Sequence, residues 1–239
     1  MTPEIASPTR VELAADLQVA LPDVARFVRQ LSHDLRNHLN AAELQSAYLS
    51  ELASDPEMKG EVGRLRAMLG EMGASLQTLT RLLAPVKLAE MPYEAAAFIE
   101  DLRSKLAQQS PEEAGAIDWQ VELGDAVLHI DPQILEQALL ELFANAFQHT
   151  RGEGRIKARA EAHDGAFTFR LAEPKEAFEG STEHWGREPL RKVKHGHYGL
   201  GLPRACNIVE AHHGRLEARY DSAAGSLVTT VSLPVAAAK

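Results

Sequence analysis

His33, Asp34 and Asn37 stand together in the run Leu31-Ser32-His33-Asp34-Leu35-Arg36-Asn37-His38-Leu39-Asn40. Apolar residues recur at Val24, Phe27, Val28, Leu31, Leu35, Leu39 and Ala42, the three-then-four spacing of a helix with one buried stripe. At about 100° per residue, His33 lies about 200° round that helix from Leu31 and Leu35 and so faces water. Asn37 follows one turn later and Arg36 sits beside it. A solvent-facing imidazole next to a carboxylate can act as a nucleophile, because the acid holds one ring proton and the other ring nitrogen keeps its lone pair. With ten histidines in the chain, the run also suits a solvated helix face with a chance histidine.

Two further stretches could handle phosphate. In Leu140-Glu141-Leu142-Phe143-Ala144-Asn145-Ala146-Phe147-Gln148-His149-Thr150, Glu141 and Asn145 share a helix face one turn apart, and Gln148 and His149 continue that polar side. A carboxylate and an amide so placed can hold a hydrated Mg²⁺ against nucleotide phosphates, since Mg²⁺ takes oxygen ligands and keeps several waters. The same spacing also describes an exposed helix stripe. In Gly196-His197-Tyr198-Gly199-Leu200-Gly201-Leu202 the glycines let the backbone approach a phosphate, and the helix that begins there aims its free N–H groups at the anion. Arg191, Lys192 and Lys194 add positive charge beside it, although a glycine-rich turn flanked by solubilising lysines would read alike.

The elements that must carry these groups follow from pattern. A short helix is expected at about 9–18. Pro22 sits at the first turn of the histidine helix, which should run to about Ala53. Asp55 can cap, and Pro56 open, a second helix carrying Val62, Leu65, Leu69, Met72, Leu76, Leu79 and Leu83. Such a seam needs a cover. Two hairpins side by side give a four-helix bundle, so a homodimer through residues 20–84 is expected, packing on the C-terminal part being the alternative.

After Pro92 a helix of about 93–109 is expected. Residues 116–123 and 126–130 then read as a β-hairpin turned at Gly124-Asp125. Asp131-Pro132 opens the helix of Glu141 and Asn145. Strands at about 155–162 and 166–172 meet at Asp164-Gly165, a polar loop covers 174–197, a helix of about 199–213 closes at Gly214, and strands near 215–221 and 226–233 finish the chain. This is an α+β sandwich, one antiparallel or mixed sheet with helices on one face.

Composition narrows the class. Across 239 residues, 45% hydrophobic and 25% charged content describe an ordinary globular protein of one or two domains. A net charge of −9 disfavours nucleic acid or an anionic membrane as main partner. The single Cys206 allows no intrachain disulfide and fits a small core residue. Met1 to Pro8 show no basic region followed by an apolar run, so a cytoplasmic protein without membrane insertion is expected.

The order of histidine helix, seam helix, asparagine helix and Gly-Leu-Gly-Leu helix resembles the catalytic core of two-component sensor histidine kinases over about 22–234. His33-Asp34-Leu35-Arg36-Asn37 is similar to the family's phosphoacceptor box, Leu140 to Thr150 to its N-box, and Arg187-Glu188-Pro189-Leu190 to its F-E-P-F box. Ala211-His212-His213-Gly214-Arg215-Leu216 and Val231-Ser232-Leu233-Pro234 match its last helix and strand. The resemblance implies an N-terminal extension at 1–21, a dimerising phosphotransfer hairpin at 22–86 and, at 87–239, an ATP-binding domain of the histidine kinase, gyrase and heat-shock ATPase type. It implies that His33 accepts the γ-phosphoryl group of ATP, that Asp34 is its general base, and that Asn37 orients a water in dephosphorylation. Asn145 would hold Mg²⁺, with Glu141 as metal ligand or base, Lys194 as lid lysine, and Gln148, His149, Gly199, Leu200 and Gly201 around the nucleotide. The partner it implies is a response-regulator receiver domain.

Two boxes depart from the pattern. Where D-x-G-x-G should follow the strand 167–172, the chain reads Glu173-Pro174-Lys175-Glu176-Ala177, so Glu173 replaces the aspartate that meets the adenine amino group and both glycines are gone. His38 replaces the acceptor box's proline. Non-glycine residues at 175 and 177 would strain or change a turn that required positive φ. Three readings result: an ATP-dependent protein histidine kinase; an ATP-independent histidine phosphotransferase or scaffold with a relic ATP domain; and a serine kinase or binding protein of the anti-sigma type, which lacks the histidine hairpin.

Overall fold

The computed structural model describes residues 21–148, 152–178, 181–183, 185–189 and 198–236. The helix expected at 9–18, His149 and Lys194 lie outside them. The chain divides into two compact units between Thr80 and Arg81.

The first unit is helical. Helix α1 spans Leu21–Leu52 and α2 spans Pro56–Leu83. Asp55 joins them as the expected cap, its carboxylate oxygens accepting from the N–H groups of Glu57 and Met58 at 3.3 and 3.4 Å, and Pro56 takes the first position. The covered face of α1 differs from the expected stripe. Ser32, Ser46 and, just past its end, Ala53 are buried, whereas Phe27, Leu31, Leu35, Leu44, Leu49 and Leu52 are exposed. No residue of α2 is fully buried, and Leu65 and Met72 of its seam are exposed. Within this unit, among the described residues, these large apolar side chains remain incompletely covered.

The second unit holds β1 (Met91–Glu94), α3 (Ala95–Gln109), α4 (Pro111–Gly115), β2 (Ile117–Glu122), β3 (Val127–Ile130), α5 (Pro132–Gln148), β4 (Ile156–His163), β5 (Ala166–Pro174), α6 (Gly201–Ala211), β6 (Arg215–Asp221) and β7 (Ser226–Pro234). Five strands form a mixed sheet in the order β2-β4-β5-β7-β6, with β2 and β4 parallel and the other pairs antiparallel. The expected hairpin at Gly124-Asp125 is not formed. The turn exists, with Gly124 at φ 54°, but β2 joins the large sheet beside β4 while β3 pairs with β1 in a separate two-stranded sheet. The helix expected from 93 starts at Ala95, because Met91–Glu94 is that extra strand. Between β4 and β5 the turn is as expected, with Asp164 at φ 52° and Gly165 at φ 76° supplying the two left-handed residues a tight hairpin requires.

The core lies between this sheet and its helices. Phe143 of α5, Phe169 of β5 and Trp119 of β2 meet with ring centroids 5.7 to 6.3 Å apart. A polar hub ties α5 to α6. Buried His212, just after α6, accepts at Nε2 from the Asp131 N–H at 3.1 Å and donates from Nδ1 to the Ile208 carbonyl at 2.8 Å. Asp131 in turn caps α5 through Ile134 N–H at 3.1 Å and accepts from Ala89 N–H at 2.9 Å. Each ring nitrogen is thus satisfied by a neutral imidazole in one tautomer.

Candidate functional site

On α1, His33 is exposed, with its side chain 68% accessible and that of Asp34 54%. His33 Nδ1 lies 3.2 Å from Asp34 Oδ1, and Gln30 Nε2 donates to the same oxygen at 3.0 Å. An ionised carboxylate only accepts, so the proton of this contact belongs to Nδ1 and the lone pair of Nε2 is left outward. Gln30 is absent from the residues that sequence singles out, though its place four residues before Asp34 on the same face is the signal that points to it. Asn37 is exposed one turn beyond His33. These four groups share one helix, so their arrangement needs no tertiary contact.

The second unit brings together α5 and the start of α6. Glu141 and Asn145 are half-buried and Gln148 is exposed. Gly199 has φ 63°, a conformation that side-chain-bearing residues rarely adopt, and Leu200 is buried. No side chain caps α6, whose first residue is Gly201. The Glu141 side chain lies against Gly201 so closely that a Cβ added there would overlap its carboxylate. A carboxylate at this end is favourably placed against the free N–H groups and the positive dipole end. Gly201→Ala should push that flexible carboxylate aside. In a double-mutant cycle with Glu141→Ala, thermal or urea unfolding should give a coupling of about 0.5–3 kcal/mol, the second change relieving the first.

At the end of β5, Glu173 continues the inward-facing row of Phe167, Phe169 and Leu171 and is buried. Lys175 is buried beside it, its Nζ 3.3 Å from Glu173 Oε1. The backbone strain expected of non-glycine residues at 175 and 177 does not arise. Among the described residues only Asp164 and His213 are non-glycine with positive φ. Cys206 is buried, and burial, reinforced by the neighbouring Glu210 carboxylate, pushes its thiol up, as befits a core residue and not a nucleophile.

Residues 130–237 match the family model described as histidine kinase-, DNA gyrase B- and HSP90-like ATPase. A helical unit followed by an ATPase-type domain is the order in which this chain is similar to sensor histidine kinases. Among curated relatives, the sensor histidine kinase MtrB of Mycolicibacterium paratuberculosis is 28% identical over 222 residues, which is 84% of this chain and 38% of that protein. The sensor histidine kinase ZraS of Klebsiella oxytoca is 26% identical over 88% of this chain and 46% of its own length. The chain thus spans less than half of these relatives. Full-length ShkA in complex with AMPPNP shares the fold at TM-score 0.68 and 21% identity, over 90% of this chain and 46% of that one. ThkA in complex with the response regulator TrrA aligns at TM-score 0.56 and 16% identity, over 90% and 63%. No helix among the described residues is long and apolar enough to cross a membrane.

Proposed function

We propose that the protein is a cytoplasmic protein histidine kinase of a two-component system, which takes up a phosphoryl group on His33 Nε2 and passes it to an aspartate of a response regulator. The observation that carries this reading is the His33–Asp34 contact on an open helix face, in a chain that also contains an ATPase-type domain. Asp34 holds the Nδ1 proton and would balance the imidazolium that develops as Nε2 bonds the γ-phosphorus and the bond from that phosphorus to the bridging oxygen breaks, its electron pair leaving with ADP. Asn37, one turn on, is the group that would orient a water for dephosphorylation.

Nucleotide phosphates suit the α6 end. Its N-cap residue Leu200 makes no side-chain hydrogen bond and Gly199 opens the approach, while the Glu141 carboxylate against Gly201 would meet the phosphates through a shared Mg²⁺. Among the described residues no cluster of three or more His, Cys, Asp or Glu side chains is present, so Asn145, assisted by Glu141, would complete a Mg²⁺ shell made largely of water and phosphate oxygens. ATP, when bound, supplies the γ-phosphoryl group. The exposed apolar residues of α1 and α2 support a homodimer through the hairpin. The likeness to ThkA, whose structure includes its response regulator, supports a receiver domain as partner.

Incubation with labelled ATP and Mg²⁺ tests the assignment: acid-labile label on the protein is expected. A second reading, an ATP-independent phosphotransferase, is favoured by the Glu173–Lys175 pair. It predicts label from a phosphorylated regulator and none from ATP. For the dimer, solution scattering at micromolar concentration should give the mass of two chains, and a single-chain mass would reject it.

A further inference from the structure

Glu173 stands where the resemblance puts the carboxylate that meets adenine, and Lys175 where it puts a glycine. The two side chains are 9% and 8% accessible and 3.3 Å apart. A lysine is rarely buried this deeply without an anionic partner, because desolvating an unpaired ammonium is costly. Its position is set by a well-anchored backbone. Lys175 N–H donates to the Gly225 carbonyl at 2.8 Å, and Gly152 N–H donates to that of Pro174 at 2.8 Å. The Tyr220 hydroxyl donates to the carbonyls of Lys175 and Glu176, each at 3.2 Å. Phe178 stacks on Tyr220 with centroids 5.8 Å apart and meets Trp185 at the same distance. The lysine's methylene stem fills space that a glycine would leave open, and its ammonium engages one oxygen, Oε1, of the buried carboxylate that a base amino group would need.

We propose that Lys175 is an internal occupant of the base-binding end of this domain, so that the adenine moiety of a nucleotide gains a contact with Glu173 only when the ion pair opens. In the resting protein, affinity for ATP then comes from the triphosphate alone. The inference rests on reading residues 87–239 as a nucleotide-binding domain. Transfer to His33 from a phosphorylated regulator does not depend on it.

Calorimetric titration of the whole chain with Mg²⁺-ATP and with Mg²⁺-tripolyphosphate tests it without reference to activity. The wild type should bind both alike, to within about twofold, whereas Lys175→Gly should prefer ATP by about tenfold, or 1.4 kcal/mol. The wild-type comparison needs no variant, and Lys175→Ser can replace Lys175→Gly if the latter does not fold. A tenfold preference for ATP in the wild type, or no gain of preference in a folded variant, would overturn the inference. Failure of His33 to take label from any donor, with the gain intact, would remove the signalling assignment and leave this one standing.

Discussion

His33→Ala is expected to abolish the acid-labile, alkali-stable label entirely, whether ATP or a phosphorylated regulator is the donor. The physical reason is local: Nε2 of this ring is the atom with an outward lone pair beside the Asp34 carboxylate, and alanine offers no replacement. Asp34→Asn is a finer probe. An amide, unlike a carboxylate, can donate to Nδ1, and that contact selects the tautomer whose Nε2 carries the proton, so a loss of about a hundredfold in labelling rate is expected. Gln30→Ala removes one hydrogen bond to the same carboxylate and should cost about three- to fivefold. Full labelling of His33→Ala would move the phosphoacceptor elsewhere and defeat the assignment.

Gly214→Ala should destabilise the second unit more than Gly201→Ala does. Gly214 has no positive φ to accommodate, since the left-handed residue that ends α6 is His213 at φ 60°. What it provides is room. A Cβ there would overlap the Leu233 side chain, come within 2.6 Å of the Ser232 carbonyl oxygen and reach 3.0 Å from Val209. The leucine end can rotate, but the carbonyl belongs to the paired backbone of β7 and β6. Overpacking of this kind costs about 1–3 kcal/mol, or a thermal midpoint lower by about 2–12 °C in a domain of this size. Unchanged thermal unfolding would show that β7 shifts freely.

Both changes involve features that short-range pattern reveals to different degrees. The His33–Asp34 contact is legible in the sequence because neighbouring residues on a helix can be placed by geometry alone. The α5 helix is legible for the same reason, with Asp131 before Pro132 as its start. Strand partners are not. The turn at Gly124-Asp125 is a local property and forms, but whether its flanks pair with each other is decided by burial of Trp119 against Phe143 and Phe169, 24 and 50 positions away in the chain. Strand β1 is not legible because four residues containing Pro92 carry too little pattern. The Glu173–Lys175 pair is hidden in a different way. Sequence shows the wrong residue types for a glycine box, but a lysine's burial depends on Gly225, Tyr220 and Gly152, which converge only in the folded sheet.

The large sheet ends in β2 on one side and β6 on the other. Along β6 the exposed positions are Arg215, Glu217, Arg219 and Asp221, and along β2 they include Asp118 and Glu122. A strand border is a ready template for adding a foreign strand, and charged side chains along it, alternating in sign on β6 and acidic on β2, make such docking unfavourable. Fibril-like growth from the β6 border is thereby discouraged, whereas at the β2 border the exposed Val121 is guarded by acidic Glu122 beside it and by Asp118.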